Sequence, residues 1–277
     1  MRYFDSHCHL QFDIFDGKRE QIINELIENN SKVINVGSSI ENSELSINLS
    51  KKYSNNLYSS IGVHPFHSLG FEIYKDNEEN KKNITYPQNL EHLESLVKNK
   101  EVKAIGECGV DFSYFKDLNG NDNDILNWKQ TQIDCFKYQI NLAQKYSLPL
   151  ILHIRKEYIL ALEVLKEMQF DGKAVFHFFK GKHSDYKEIS KNNNYYFGFS
   201  NVITYDDTMN KIIEEISLDK VLIETDAPYV SPLFKKEEIN EPQNVIYVAE
   251  KIVKIKKVSI DNVLNITYNN AIKFFDI

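Results

Sequence analysis

Tyr3-Phe4-Asp5-Ser6-His7-Cys8-His9-Leu10 opens the chain with a short apolar run that leads into two histidines one residue apart. The run reads as a strand over Tyr3–Asp5. On the extended backbone that follows, residues i and i+2 face the same side, so His7 and His9 converge on one point. The same plan recurs downstream. Runs rich in β-branched and aromatic residues over Val33–Val36, Leu57–Ile61, Val102–Ile105, Leu150–Leu152, Ala174–Phe176, Tyr195–Phe199 and Val221–Ile223 read as strands. Helical patterns alternate with them over Arg19–Asn29, Glu41–Tyr53, Leu90–Lys98, Asp124–Tyr146, Glu157–Met168, Ser184–Lys191, Asp207–Ile216 and Pro242–Lys256, and a last one covers Asp261–Phe275. Ile133, Phe136, Ile140 and Ala143 show the stripe spacing of a surface helix.

Eight strand-then-helix units imply right-handed crossovers and a parallel sheet. In 277 residues they fit a closed (β/α)8 TIM barrel better than an open doubly wound sheet. No G-x-G-x-x-G turn follows an early strand, as the open alternative would favour. No repeat and no Pro/Gly/Ser linker divides the chain, so one domain over residues 1–277 is expected. Lys75–Pro87 is polar and aperiodic and reads as a solvated insertion after the third strand. Asp111–Asn123 reads as a loop overhanging the barrel mouth.

Hydrophobic residues make up 42% and charged residues 26%, which excludes disordered and collagen-like chains. No run approaches 18 apolar residues, and the N-terminus lacks the apolar stretch of a signal peptide. A cytoplasmic protein without a membrane partner is expected. Cys8, Cys108 and Cys135 are too few and too scattered for a disulfide framework or a C-x-x-C knuckle. The net charge of −7 argues against a broad nucleic-acid-coating face. It leaves room for a local site where bound metal supplies positive charge.

The position of the titratable residues is more informative than their number. Glu107 follows the fourth strand, His153 the fifth, His177 the sixth and Asp226 the eighth. With His7 and His9 they gather at the C-terminal face of a barrel, where active sites of this architecture form. Four imidazoles and two carboxylates suit Zn²⁺, Mn²⁺, Fe²⁺ or Co²⁺, with Mg²⁺ less comfortable among imidazoles. Six groups exceed what one catalytic ion takes with a water position left open. Two ions about 3.5–4 Å apart, sharing one carboxylate, use all six. The chemistry expected is metal-assisted hydrolysis.

Asp5-Ser6-His7-Cys8-His9-Leu10, Gly106-Glu107-Cys108-Gly109-Val110-Asp111, Leu152-His153-Ile154-Arg155 and Val221-Leu222-Ile223-Glu224-Thr225-Asp226-Ala227-Pro228-Tyr229 together resemble the TatD family of metal-dependent deoxyribonucleases. Gly62-Val63-His64-Pro65, Gln132 with Phe136, Asn240-Glu241-Pro242 and Asn270-Ala271 before Phe274 extend the resemblance along essentially the whole chain. It implies a TIM-type barrel of the amidohydrolase superfamily, two divalent ions (Mg, Mn or Zn) and exonuclease or endonuclease activity on DNA. It further implies that His7, His9 and Asp226 hold one ion, that His153 and His177 hold the other, and that Glu107 bridges them. Asp226 then doubles as the base for the attacking water, and His64 and Arg155 lie near the substrate phosphate. A guanidinium fork suits a phosphodiester.

The chain departs from the family pattern at Ile154, where a serine is frequent, and at His177-Phe178-Phe179-Lys180-Gly181, where HCFSG is usual. Lys180 is thereby available as an extra phosphate contact. Glu224 reads as support that orients a ligand histidine. His67, His92 and His183 read as ordinary surface residues, and Cys8 as packing on the face opposite its neighbours. Tyr114, Phe115 and Tyr229 are the mouth aromatics placed to stack on a base. The Lys251–Lys257 run reads as a solvated helix face. DNA as substrate, a monomer and no stable protein partner are expected. A related hydrolase of small amides, lactones or phosphoesters is the alternative, because substrate choice lies in the loops.

Overall fold

In the computed structural model, which describes residues 1–70 and 87–277, all eight strands are parallel and pair in chain order. They are β1 (Phe4–Cys8), β2 (Lys32–Val36), β3 (Leu57–Ile61), β4 (Val102–Asp111), β5 (Leu150–Arg155), β6 (Ala174–Phe176), β7 (Tyr195–Phe199) and β8 (Val221–Ile223). Around them run α1 (Arg19–Glu28), α2 (Ile40–Lys52), α3 (Leu90–Leu96), α4 (Asp122–Tyr146), α5 (Tyr158–Glu167), α6 (His183–Ile189), α7 (Asn210–Glu215), α8 (Val245–Lys256) and α9 (Ile260–Phe275). Just beyond β8 the chain returns to β1: Cys8 bridges Ala227, His9 N–H donates to the Ala227 carbonyl at 2.7 Å, and Asp226 N–H donates to the His7 carbonyl at 2.8 Å. The barrel is nearly closed, and its seam runs directly beneath the histidine pair. The insertion expected over Lys75–Pro87 lies, except for Pro87, outside the described residues.

Local chemistry sets the helix ends. Ser39, Asn89 and Ser259 cap α2, α3 and α9 by accepting a backbone N–H, and Asn121 forms a reciprocal capping box with Asp124 at the start of α4. The helix expected over Asp207–Ile216 divides into a 3-10 turn, Asp207–Met209, followed by α7. Pro242 opens a separate 3-10 turn ahead of α8.

Two apolar layers form the core. Outward strand residues such as Val33, Ile105, Leu152 and Phe197 belong to the cluster that the helices cover. Inward residues Phe4, Ile34, Val36, Ala104, Ile151, Val175, Tyr196 and Leu222 cluster with Tyr268, Ala271, Phe274 and Phe275, so α9 plugs the end of the barrel opposite the mouth.

In an unbroken strand, residues an even number apart share a face. Phe4 nevertheless belongs to the inner layer and Cys8 to the outer, while Ile105 and Cys108, three apart, are both outer. The pairing register shifts between Asp5 and Cys8 in β1, and between Ile105 and Cys108 in β4. One added residue in each strand switches the frame. His7 and His9 thus share the interior with Phe4, and Glu107 shares it with Ala104. These irregular strands run on through polar residues. His7, Glu107 and His153 therefore lie within β1, β4 and β5, not beyond strands ending at Asp5, Ile105 and Leu152.

Among the described residues no helix is long and apolar enough to cross a membrane. The α9 plug yields a stability prediction. Phe274 is fully buried at the barrel base, and Phe274→Ala should cost about 3–5 kcal/mol of unfolding free energy in urea denaturation. A loss below about 1 kcal/mol would show that the plug contributes little.

Candidate metal centre

Beyond the barrel's apolar layers, side chains from six strands meet. His7 Nε2 lies 3.3 Å from His9 Nε2, 3.5 Å from Glu107 Oε2 and 3.6 Å from Asp226 Oδ1. His9 Nε2 is 3.5 Å from the same Asp226 oxygen. On the other side of Glu107, Oε1 is 2.7 Å from His153 Nδ1, 3.2 Å from His177 Nε2 and 3.7 Å from His64 Nε2. The six residues expected to gather do gather. Together with His64, their donor atoms form overlapping triads with ligand spacing: His7/His9/Asp226, His7/Glu107/His177 and His64/Glu107/His153.

The outer hydrogen bonds sort these imidazoles into two kinds. His9 Nδ1 is 2.8 Å from the Val36 carbonyl, which can only accept, so the ring hydrogen sits there and the Nε2 lone pair faces the site. His177 Nδ1 likewise donates to Glu224 Oε1 at 3.0 Å. Glu224 is thus the support expected of it, and it also accepts the Phe178 N–H at 2.5 Å. Gly198 leaves room for this carboxylate: a Cβ there would come within 2.9 Å of Glu224 Cδ. His64 is the opposite case. Phe66 N–H donates to its Nδ1 at 3.2 Å, so in the neutral ring the hydrogen is on Nε2, facing Glu107. His64 presents a donor where a ligand needs a lone pair.

Charge follows the same division. Burial pushes the carboxyl groups of Glu107 and Asp226 upward, but the surrounding histidines outweigh it and hold both below the ordinary range. Burial and the neighbouring His153 push His64 down to about 3, leaving it neutral. For His177, burial is overcome by Glu224 and Glu107, and its pKa is raised. With Nδ1 committed to an outward acceptor, Nε2 of His9 and His177 is the nitrogen left to face the ionised carboxylates, a donor set that fits a divalent transition-metal ion once the Nε2 proton is displaced.

Asp226 sits in the left-handed region at φ 59°, a conformation that aspartate tolerates better than most residues. Asp5 fixes the turn from below, accepting the Thr225 N–H at 2.9 Å and the Thr225 hydroxyl at 2.5 Å. Buried Asn240 fixes it from above, donating to the Thr225 carbonyl at 3.0 Å and the Tyr229 carbonyl at 2.7 Å. The site opens into a cavity of about 950 Å³ whose walls include Phe66, Tyr114, Arg155, Lys156, Phe178 and Tyr229. Arg155 donates to the Tyr114 hydroxyl at 3.0 Å, and the Tyr114 ring meets Phe66 edge-on with centroids 4.0 Å apart.

Several expectations need correcting. His67 is buried in the cavity wall and is not a surface residue. Phe115 is buried against Trp128, which removes it from the mouth aromatics. Lys180 lines the cavity, but its ammonium is paired with Asp206 at 2.6 Å. Sequence reasoning also missed Asp111, fully buried with Oδ2 3.3 Å from His153 Nε2. The signal was present: Asp111 is four residues beyond Glu107 and shares its face once β4 is extended. As expected, His92 and His183 are surface residues, and Cys8 packs outward with Sγ 3.5 Å from the Ile34 carbonyl.

Residues 4–276 match the family model of TatD-related DNases. The chain belongs to that family. It is 29% identical over 277 residues to an uncharacterised metal-dependent hydrolase of Methanocaldococcus jannaschii, covering 99% of this chain and 97% of that one. It is 28% identical to the deoxyribonuclease TATDN3 of Homo sapiens over 98% of this chain and 93% of that one. The solved structure of the TatD homologue YJJV from Escherichia coli shares the fold, with TM-score 0.80, 24% identity, and 99% and 98% of the two chains covered. This TatD-family protein is a metal-dependent hydrolase.

In this TatD-family site Glu224 is the acceptor that sets the tautomer of His177. Glu224→Ala should weaken divalent-ion affinity about 10–100-fold in chelator competition. Affinity equal to that of the parent would remove Glu224 from the site.

Proposed function

We propose that this chain is a divalent-metal-dependent deoxyribonuclease that hydrolyses phosphodiester bonds of DNA. The observation that carries the reading is the ligand cluster around Glu107, opening into a cavity that also presents a neutral donor, His64, and a guanidinium, Arg155. His7, His9 and Asp226 would hold one ion, His153 and His177 the other, and Glu107 would lie between them. When bound, such ions supply Lewis acidity toward a phosphoryl oxygen and lower the pKa of water toward neutrality.

The chain's own groups then have separable tasks. Asp226 is ionised, and its side chain keeps 15% of its surface exposed, so Oδ1 can accept the proton lost by an attacking water. That water oxygen forms the new bond to phosphorus as the bond to the sugar oxygen breaks, and the departing oxygen takes up a proton from solvent while Asp226 later returns its own to solvent. The Arg155 fork and the His64 Nε2–H would donate to the non-bridging phosphate oxygens of a bound strand, stabilising the charge that builds there. Tyr114 holds Arg155 by its hydroxyl, and the Phe66–Tyr114 pair offers an aromatic wall for an adjacent base. The cavity's size and mixed aromatic and cationic lining favour a nucleic-acid strand over a small amide or lactone.

The test compares the protein with Mn²⁺ or Mg²⁺ on single- and double-stranded DNA, aryl phosphates and cyclic amides. Release of nucleotides or DNA fragments only with metal is expected. Asp226→Ala should lower that rate at least about 10³-fold while circular dichroism stays unchanged. Intact DNA under all metals and pH values, with turnover of the cyclic amides, would replace this assignment by the small-substrate one.

A further inference from the structure

We propose that Asp111, held in place by Gln132 of α4, is the positioning residue that orients the His153 imidazole toward Glu107. The inference deepens the metal-dependent reading above and rests on it. His153, like His177, stands between Glu107 and a second carboxylate, but it turns the opposite nitrogen toward Glu107. Its Nδ1 lies 2.7 Å from Glu107 Oε1, and its Nε2 lies 3.3 Å from Asp111 Oδ2. Asp111 is fully buried, so its charge needs partners, and its Oδ1 is already taken by the Ser113 N–H at 2.9 Å. The remaining oxygen is left for His153.

Both carboxylates accept, so with an ion held beside Glu107 the single ring hydrogen would stay on Nε2 toward Asp111, leaving the Nδ1 lone pair for the ion. His9 and His177 are arranged the other way, each donating from Nδ1 to Val36 or Glu224. His153 must therefore enter the cluster by its other nitrogen, and Asp111 is the group that turns it round.

Asp111 is itself placed with little freedom. Gln132, buried on the barrel-facing side of α4, accepts the Asp111 N–H at 2.9 Å and donates to the Asp111 carbonyl at 3.0 Å. The same amide donates to the Pro65 carbonyl at 3.2 Å, one residue after His64. One side chain thus ties the end of β4 to the segment that carries His64.

The test uses the full chain with Mn²⁺ as probe, titrated into the parent, Asp111→Ala and Asp111→Asn. Asp111→Ala should hold its weaker Mn²⁺ about 10–100-fold less tightly. Asp111→Asn, whose amide oxygen still accepts from Nε2–H, should recover most of that loss. In the Zn²⁺-loaded parent labelled with ¹⁵N-histidine, long-range ¹H–¹⁵N spectra should place the His153 hydrogen on Nε2. Equal Mn²⁺ affinity in the parent and Asp111→Ala overturns the proposal, as does a His153 hydrogen found on Nδ1. None of these readouts uses DNA, so a parent that binds Mn²⁺ and leaves DNA intact counts against the substrate assignment alone.

Discussion

A buried carboxylate needs compensation, and Glu107 is the group around which this barrel's mouth is arranged. Removing a bare carboxylate from water costs several kcal/mol unless charge and hydrogen bonds replace the solvent. Four imidazoles, from β1, the segment after β3, β5 and the end of β6, stand within 3.7 Å of its two oxygens. None of these strands can shift along the barrel without uncovering the charge. The electrostatics of the site therefore report on strand register, and register fixes the distances between donor atoms.

That dependence explains what the sequence could and could not reveal. In β5, β6 and β8 the register shows no shift: Ile151 with His153, Val175 with His177, and Leu222 with Glu224 alternate as strand geometry requires, and Asp226 follows in the turn just beyond. These chemical residues were legible as extensions of apolar strands. β1 and β4 were harder. An added residue in each switches the frame, so counting in twos from Phe4 or Ala104 assigns His7 and Glu107 to the wrong face. Their convergence was legible only from the company they keep, His7 with His9 and Glu107 with its downstream partners. Asp111 was lost because the strand reading stopped at Ile105, and polar residues inside a strand carry no hydrophobic period. Buried His67 and Phe115 were misplaced for a related reason: loop residues have no periodicity, and only packing decides which way they point.

The support around the site is backbone-directed and comes from outside the sheet. Gln132 and Gln139 lie seven residues apart on one face of α4, and both are buried. Gln139 accepts the Val63 N–H at 2.8 Å and donates to the Val63 carbonyl at 3.0 Å, as Gln132 does for Asp111. Two amides on one rigid helix thus fix the residue before His64 and the residue that faces His153. A helix face carrying glutamine where an amphipathic pattern calls for leucine loses apolar burial. It gains a fixed spacing between two strand ends.

An acidic protein proposed to act on a polyanion raises an electrostatic question, since a net charge of −7 repels DNA at long range. The arrangement of cations answers it locally. Lysines away from the mouth are widely neutralised, as in Lys137–Glu167, Lys145–Glu94, Lys187–Glu215 and Lys251–Asp207. Arg155, by contrast, bonds to a neutral phenol, so its charge is oriented but not cancelled. Within a Debye length of about 8–10 Å at ordinary salt, such a group and bound divalent ions dominate what a phosphate experiences, and the rest of the surface is screened. Recognition concentrated at the cavity in this way holds a strand near the reacting bond without coating it. The salt dependence of single-strand binding should then be shallow, with a logarithmic slope of about −0.7 to −1.4, because only one or two phosphates are neutralised by the chain itself. Fluorescence-anisotropy titrations of single-stranded DNA at 50–200 mM salt measure that slope, and a value steeper than about −4 would require an extended basic surface and overturn recognition concentrated at the cavity.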